Sequence, residues 1–97
     1  MAVFVERRLR AVGRQLAKLR GDLGVADEPL AHFADITDDT RIRALVSETP
    51  LADVEHRDAE RTSSAMARHR AELVERISRL EAEQDQLLDQ MAARRRG

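Results

Sequence analysis

The sequence predicts an all-α protein, an antiparallel helical hairpin or coiled coil with one long C-terminal helix and a short middle helix. Apolar residues recur every three or four positions near both ends of the chain. Neither Gly nor Pro interrupts residues 51–96, so a single helix can extend through them. Aromatic residues make up only 2% of the chain and there are four Gly, too few for the strands and turns of an all-β fold.

The composition also bounds the size, class and location of the protein. Its 97 residues allow one small domain, residues 1–97. The chain has no Cys, which excludes disulfides and thiolate metal sites. No apolar run approaches the ~20 residues of a membrane span, and Glu6, Arg7 and Arg8 stand where an export signal would be apolar. We therefore expect a cytoplasmic protein, and sixteen Arg to one Lys indicate a GC-rich bacterial genome.

The first helix is predicted over residues 3–23. Its apolar residues have spacings of 4, 3, 4, 3 and 4, which is the pattern of a heptad seam. This first seam consists of Val5, Leu9, Val12, Leu16, Leu19 and Leu23. Gly24 follows the seam directly and is predicted to be the C-cap of the helix.

A loop over residues 24–37 and a short helix over residues 38–48 are predicted next. Pro29 disfavours helix at the residue before it, which favours the loop. Oxygens for an N-cap of the short helix come from Thr37, Asp38 and Asp39. One face of that helix would carry Ile42, Leu45 and Val46.

The long helix is predicted over residues 50–93, with a frayed basic tail at residues 94–97. Thr49 as N-cap followed by Pro50 at the first helical position is a helix-start signature. The distal part of the helix carries a second seam with the same spacings, Leu73, Ile77, Leu80, Gln84, Leu87 and Met91. Extended back toward the turn, this seam contains mainly small or polar residues, Arg70, Met66, Ser63, Ala59 and His56.

The two seams have equal length, so we expect them to pair antiparallel, with Leu23 opposite Leu73 and Val5 opposite Met91. A stem with so few apolar residues has a thin core. Two apolar residues beside the second seam would stay exposed on a two-helix stem, Val74 and Leu88. We therefore expect a homodimer through residues 73–91 with Gln84 near its interface, either parallel or antiparallel.

The side chains that could carry chemistry do not form a complete catalytic, metal or cofactor site. His56 and Glu60 have the i, i+4 spacing of metal ligands, but no third ligand completes the pair. Acidic residues gather near both predicted bends, without the cleft that acid–base catalysis needs to shift a carboxyl pKa. The chain has no Gly-rich phosphate loop and no aromatic platform for bases. We expect a protein that is not an enzyme and binds no cofactor.

One segment resembles a known group of proteins. The pattern Pro-Leu-Ala-Asp-Val-Glu-His-Arg-Asp-Ala from Pro50, then small residues, then Glu-Leu-Val-Glu-Arg-Ile-Ser-Arg-Leu, covers about a third of the chain. It resembles the second coiled-coil helix of Gre-type transcript-cleavage factors and DksA/TraR-like proteins. Those proteins insert the acidic tip of a helical hairpin into the secondary channel of RNA polymerase. The resemblance implies partner-binding roles for Asp53 and Glu55. Pro50 replaces one acidic residue of a Gre-type tip, and the zinc-finger cysteines are absent.

The sequence therefore predicts a small coiled-coil adaptor or regulator that acts by protein–protein binding, with RNA polymerase as one candidate partner. The candidate partner-binding residues are Asp53, Glu55, Val74, Gln84 and Leu88. The alternative is a nucleotide- or nucleic-acid-responsive factor that uses Arg-rich helix faces, formed by Arg7, Arg10, Arg14 and Arg94–Arg96. A net charge of −1 argues against a dedicated duplex-DNA binder.

Overall fold

The computed structural model describes residues 2–96, and these form two α-helices. Helix α1 spans Ala2–Ser47 with 46 residues, and helix α2 spans Pro50–Arg96 with 47 residues. The all-α fold and the helical hairpin predicted from the sequence are confirmed. The two helices have similar lengths, whereas the sequence predicted one long helix and two shorter ones.

Helix α1 is continuous where a loop and a separate short helix were predicted, so the loop over 24–37 and the helix over 38–48 are wrong. Pro29 lies inside α1. Gly24 is also inside the helix with a negative φ, and it is therefore not a C-cap. Thr37 does not cap a helix either, because its Oγ1 donates to the carbonyl oxygen of Phe33 at 2.8 Å, as helix-interior threonines do.

The first seam explains why α1 does not stop, since it continues past Leu23. Buried and half-buried residues follow with spacings of 3 and 4, namely Ala26, Leu30, Phe33, Thr37, Thr40 and Ala44. Packing of these residues outweighs the cost of Pro29, which removes one backbone donor from the helix. The signals for a loop were local, whereas helical stability in proteins comes mostly from the packed face.

The turn between the helices consists of Glu48 and Thr49. The amide of Glu48 donates to the carbonyl oxygen of Ala44 at 3.2 Å, and Glu48 has a left-handed backbone with φ 51°. Thr49 is the N-cap of α2, because its Oγ1 accepts a hydrogen bond from the amide of Ala52 at 3.2 Å. The predicted helix start at Pro50 is confirmed.

Helix α2 continues through Arg96 and so includes residues 94–96, where the sequence predicted a frayed tail. The guanidinium Nε of Arg96 donates to the carbonyl oxygen of Ala92 at 3.3 Å. Such a bond satisfies one of the last carbonyls of the helix and places a cation at the negative end of its dipole. Gly97 lies outside the described residues.

The described residues group into two compact units, each containing a segment of both helices. The first, here called the terminal unit, contains residues 2–23 and 73–96. Its helices run antiparallel, as predicted, because Arg8 contacts Glu83 while Gln15, farther along α1, lies beside Arg76 and Leu80. Its core consists of seven buried aliphatic side chains, Val5, Val12, Leu16, Leu19, Leu73, Ile77 and Leu87. The other members of both predicted seams are half-buried, Leu9, Leu23, Leu80, Gln84 and Met91.

The second unit, here called the turn unit, contains residues 24–72. Its helices are also antiparallel, and its core is thin and partly polar. Ala59 is its one buried apolar residue within the described part of the chain, and Thr40 is buried as well. The Thr40 hydroxyl donates to the carbonyl oxygen of Thr37 at 3.0 Å and lies 3.3 Å from Nδ1 of His56.

Pro29 gives a direct test of the continuous helix. Replacement of Pro29 by Ala should raise the free energy of unfolding by about 3 kcal/mol, because Ala restores the backbone donor and removes the ring from a helix interior. Chemical denaturation of the wild type and the variant measures the difference. An unchanged or lower stability would place Pro29 in a loop instead.

Candidate protein-binding surface

Five large apolar side chains are exposed around the turn between the helices. Their relative accessibilities lie between 49% and 78%. They form what we call the tip surface, Ile42, Leu45 and Val46 on α1 and Leu51 and Val54 on α2. Large apolar side chains that are exposed singly are ordinary at a protein surface, whereas several that gather near one turn mark a candidate interaction site.

The position of these side chains follows from the two seams. In the last turns of α1, the inward positions are Thr40 and Ala44, and Ile42 lies between them. In the first turns of α2, the inward positions are Ala52 and His56. Ile42, Val46 and Val54 lie two positions from a seam residue and so point away from the opposite helix. Leu45 and Leu51 lie next to a seam residue and are exposed as well. None of the five occupies a seam position, so none joins the core in this register.

Acidic side chains accompany the tip surface. Glu48 lies in the turn, and Asp53 and Glu55 lie in the first two turns of α2, all three exposed. None of them takes part in an ion pair within residues 2–96. The structure thus places the two acidic residues predicted to bind a partner beside exposed apolar groups.

The turn unit exposes more large apolar side chains than it buries. Within residues 2–96 it contains one buried apolar residue, Ala59, but six of the ten large apolar side chains that are exposed, the tip surface and Val25. The terminal unit has the reverse balance, with seven buried apolar residues and four exposed ones. The turn unit thus leaves most of its large apolar side chains outside its core.

The predicted partner-binding residues of the distal helix belong to the terminal unit. Val74 and Leu88 are 41% and 50% exposed, as expected beside a two-helix seam. Glu81, which is exposed, lies midway between them, so the two apolar side chains stand apart on the helix. Gln84 is half-buried on the seam itself.

The predicted pair of His56 and Glu60 is part of a polar network in the turn unit. His56 Nε2 lies 3.3 Å from Oε1 of Glu60, and Nδ1 faces the Thr40 hydroxyl. The side chain of His56 is only 19% exposed. Across residues 2–96, no group of three or more His, Cys, Asp or Glu side chains is placed to hold a metal ion. The same range contains no helix that is long and apolar enough to span a membrane.

Two parts of this arrangement were missed by the sequence reasoning. The sequence placed Ile42, Leu45 and Val46 on one face of a short helix, but not their exposure. It also gave no role to Leu51 and Val54. The available signal was the second seam, which passes through Ala59 and His56 when extended toward the turn and so excludes both residues.

No protein-family model, curated protein sequence or solved structure matches the chain. The physical character of the tip surface is thus what bears on function. Exposed apolar groups beside carboxylates free of internal ion pairs suit a protein partner that offers apolar and cationic groups of its own.

One ion pair links the two helices in the terminal unit. Arg8 donates from Nε to Oε1 of Glu83 at 2.5 Å and from a terminal nitrogen to Oε2 at 2.8 Å. These hydrogen bonds, assisted by the opposite charge, lower the pKa of the Glu83 carboxyl and raise the pKa of the Arg8 guanidinium. Bidentate geometry of this kind fixes the two side chains in register.

The Glu83 carboxyl should make stability depend on pH. Because its pKa is lower in the folded chain, its contribution is present above the ordinary Glu pKa of about 4.3 and is lost as the pH falls through the lowered pKa. Glu83→Gln should therefore lower the melting temperature at pH 7, and the difference from wild type should shrink below pH 4. Glu81→Gln, which removes an exposed carboxylate of the same helix, is the control and should have a smaller effect at pH 7. A difference that stays constant from pH 7 to pH 3 would contradict the role of Glu83.

Proposed function

We propose that the chain is a non-enzymatic helical adaptor or regulator that acts by binding another protein through the tip surface. The observation that carries the proposal is the balance of the turn unit, which buries one apolar residue and exposes six within the described range. Large apolar groups with no place in the core are the usual anchors of a protein interface. No cofactor enters the proposal.

The partner is expected to offer a cationic rim around an apolar contact, because Glu48, Asp53 and Glu55 border the tip surface without internal ion pairs. RNA polymerase is one candidate, supported by the resemblance of the segment from Pro50 to the second helix of Gre-type factors. In those proteins the acidic residues also lie at the tip of a hairpin. A cytoplasmic location in a bacterium is part of the proposal.

We also propose that the two helices pair as an antiparallel coiled coil and that the chain forms a homodimer. The unbroken alternation of 3 and 4 between successive seam residues supports the coiled coil. The thin core supports the dimer, since a second copy adds burial that 97 residues alone do not provide. The sequence places the dimer interface at Val74, Gln84 and Leu88, and this stays a prediction.

The alternative function is a nucleotide- or nucleic-acid-responsive factor. It is favoured by Arg7, Arg10 and Arg14, which are exposed on one side of α1 and take part in no ion pair within residues 2–96. Unpaired guanidinium groups in a line suit phosphate groups. Treatment with nuclease separates the two functions, because a protein partner stays bound.

The tip surface is tested by substitution of its α2 side. In affinity capture from nuclease-treated extract of the source cells, the variant with Leu51→Gln and Val54→Gln should lose a defined protein partner at least about tenfold. This expectation follows because apolar anchors supply most of an interface's binding energy. Quantitative mass spectrometry of the captured proteins gives the ratio. Val25→Gln is the control, since Val25 is 73% exposed in the same unit but lies outside the tip surface.

Two outcomes would contradict the proposal. Release of every partner by nuclease would favour the nucleic-acid alternative. Equal capture by the tip variant and the Val25 variant would exclude the tip surface. For RNA polymerase, purified enzyme should bind the wild type and lose affinity for the variant with Asp53→Ala and Glu55→Ala.

A further inference from the structure

The outer side of α1 carries side chains that are sorted by charge. Residues there lie between the seam residues and are exposed. In the terminal unit they form what we call the basic stripe, Val3 and Phe4 followed by Arg7, Arg10, Arg14 and Lys18. In the turn unit they form the acidic stripe, Glu28, Asp35, Asp38 and Asp39 followed by Ile42, Leu45 and Val46.

The charges of both stripes are largely free of partners within the chain. Among the ion pairs of residues 2–96, none involves a cation of the basic stripe. In the acidic stripe only Asp39 is paired, with Arg43 one turn farther along α1. The apolar ends are open as well, with Val3 62% and Phe4 72% exposed.

The outer side of α2 shows that this sorting is specific to α1. Its exposed charged residues mix both signs along the helix, as in Asp58, Arg61, Arg68, Glu72, Glu75 and Arg79. Four of these form two ion pairs inside α2, Arg61 with Asp58 at 3.9 Å and Arg79 with Glu75 at 3.8 Å. A mixed face of this kind is typical of a solvated helix surface, whereas a segregated face indicates a charged partner.

We propose that the basic stripe of one copy binds the acidic stripe of a second copy, with the two α1 helices antiparallel. Along the chain, the basic stripe runs from apolar to cationic and the acidic stripe from anionic to apolar. Antiparallel alignment therefore places cations opposite carboxylates and Val3 and Phe4 opposite Leu45 and Val46. Each copy carries both stripes, so one two-fold dimer can make the same contact twice, which closes the assembly.

This interface goes beyond the proposed function, and it replaces the dimer interface that the sequence predicts at Val74, Gln84 and Leu88. It covers the α1 side of the tip surface and leaves Leu51, Asp53, Val54 and Glu55 of α2 available to another protein. Dimer formation and partner capture are separate measurements, so failure of one is distinguishable from failure of the other.

The test is a charge exchange measured by sedimentation equilibrium at micromolar concentration in 0.1 M NaCl. The basic variant has Arg7→Glu, Arg10→Glu and Arg14→Glu, and the acidic variant has Glu28→Lys, Asp35→Lys and Asp38→Lys. Each variant alone should be a monomer, with a Kd for dimerisation at least about tenfold above wild type, because like charges then face each other. An equimolar mixture should form 1:1 dimers, since both contacts regain opposite charges. Circular dichroism confirms that the variants keep the helical content of the wild type.

Two further measurements test the dimer, one at high salt and one with a variant of the distal helix. The wild type should be a dimer in 0.1 M NaCl and should dissociate in 1 M NaCl, where the Debye length falls to about 3 Å. The variant with Val74→Glu and Leu88→Glu should remain a dimer.

A monomeric wild type, a mixture that fails to dimerise, or charge variants with the wild-type Kd would each overturn the proposal. Dissociation caused only by Val74→Glu and Leu88→Glu would assign the dimer to the distal helix, and binding of a monomeric wild type to duplex DNA or anionic vesicles would assign the basic stripe to that ligand.

Discussion

Burial in this chain is confined to one seam on each helix, and the rest of the structure depends on that narrow contact. The nine buried residues of the described range, eight of them apolar together with Thr40, all occupy seam positions. Two helices in contact can shield only every third or fourth residue from water. Most other positions are exposed, so most large apolar side chains away from a seam stay in contact with water unless a partner covers them.

The two units fill this seam in different ways. The terminal unit uses aliphatic side chains, which supply hydrophobic stabilisation but little geometric preference. The turn unit uses polar contacts, which depend on direction. They are the contact between Thr40 and His56 and the approach of Thr37 Oγ1 to the carbonyl oxygen of Ala59 at 3.3 Å. Hydrogen bonds contribute little net free energy when both partners could bind water, but a mispaired buried hydroxyl is costly. The polar seam therefore specifies register more strongly than it adds stability.

How far the sequence predicts the fold depends on whether the signals agree. At Thr49 and Pro50 the capping residue, the fixed φ of proline and the absence of later breakers all indicate one helix start, and the structure has it there. At Pro29 the local signal and the seam disagree, and the seam decides because packing acts over the whole helix. Positions 37 and 40 were difficult to recognise as seam residues, since threonine is also a capping residue.

The tip surface, like the fold, could be predicted only where one helix by itself determines the position of a residue. Asp53 and Glu55 could be placed near the tip because their position depends only on the start of α2. The exposure of Leu45 and Val46 could not, since it requires knowing that α1 reaches the turn without interruption. The contact between Thr40 and His56 requires the register of α1 against α2, which no single-helix pattern contains.

The separation of contacting residues along the chain has a consequence for the order in which the two units form. In the turn unit, Thr40 and His56 are 16 positions apart, and Thr37 and Ala59 are 22 apart. The ion pair of Arg70 with Asp27 joins residues 43 apart. In the terminal unit, the ion pair of Arg8 with Glu83 joins residues 75 apart. Each doubling of a closed loop costs about 0.6 kcal/mol of chain entropy, so contacts near the turn are the easier ones to close. Pairing therefore starts where the seam is polar and specific in register. The aliphatic side chains of the terminal unit would also pack after a shift of one helical turn. They pair later, when the polar contacts of the turn unit have set the alignment of the two helices.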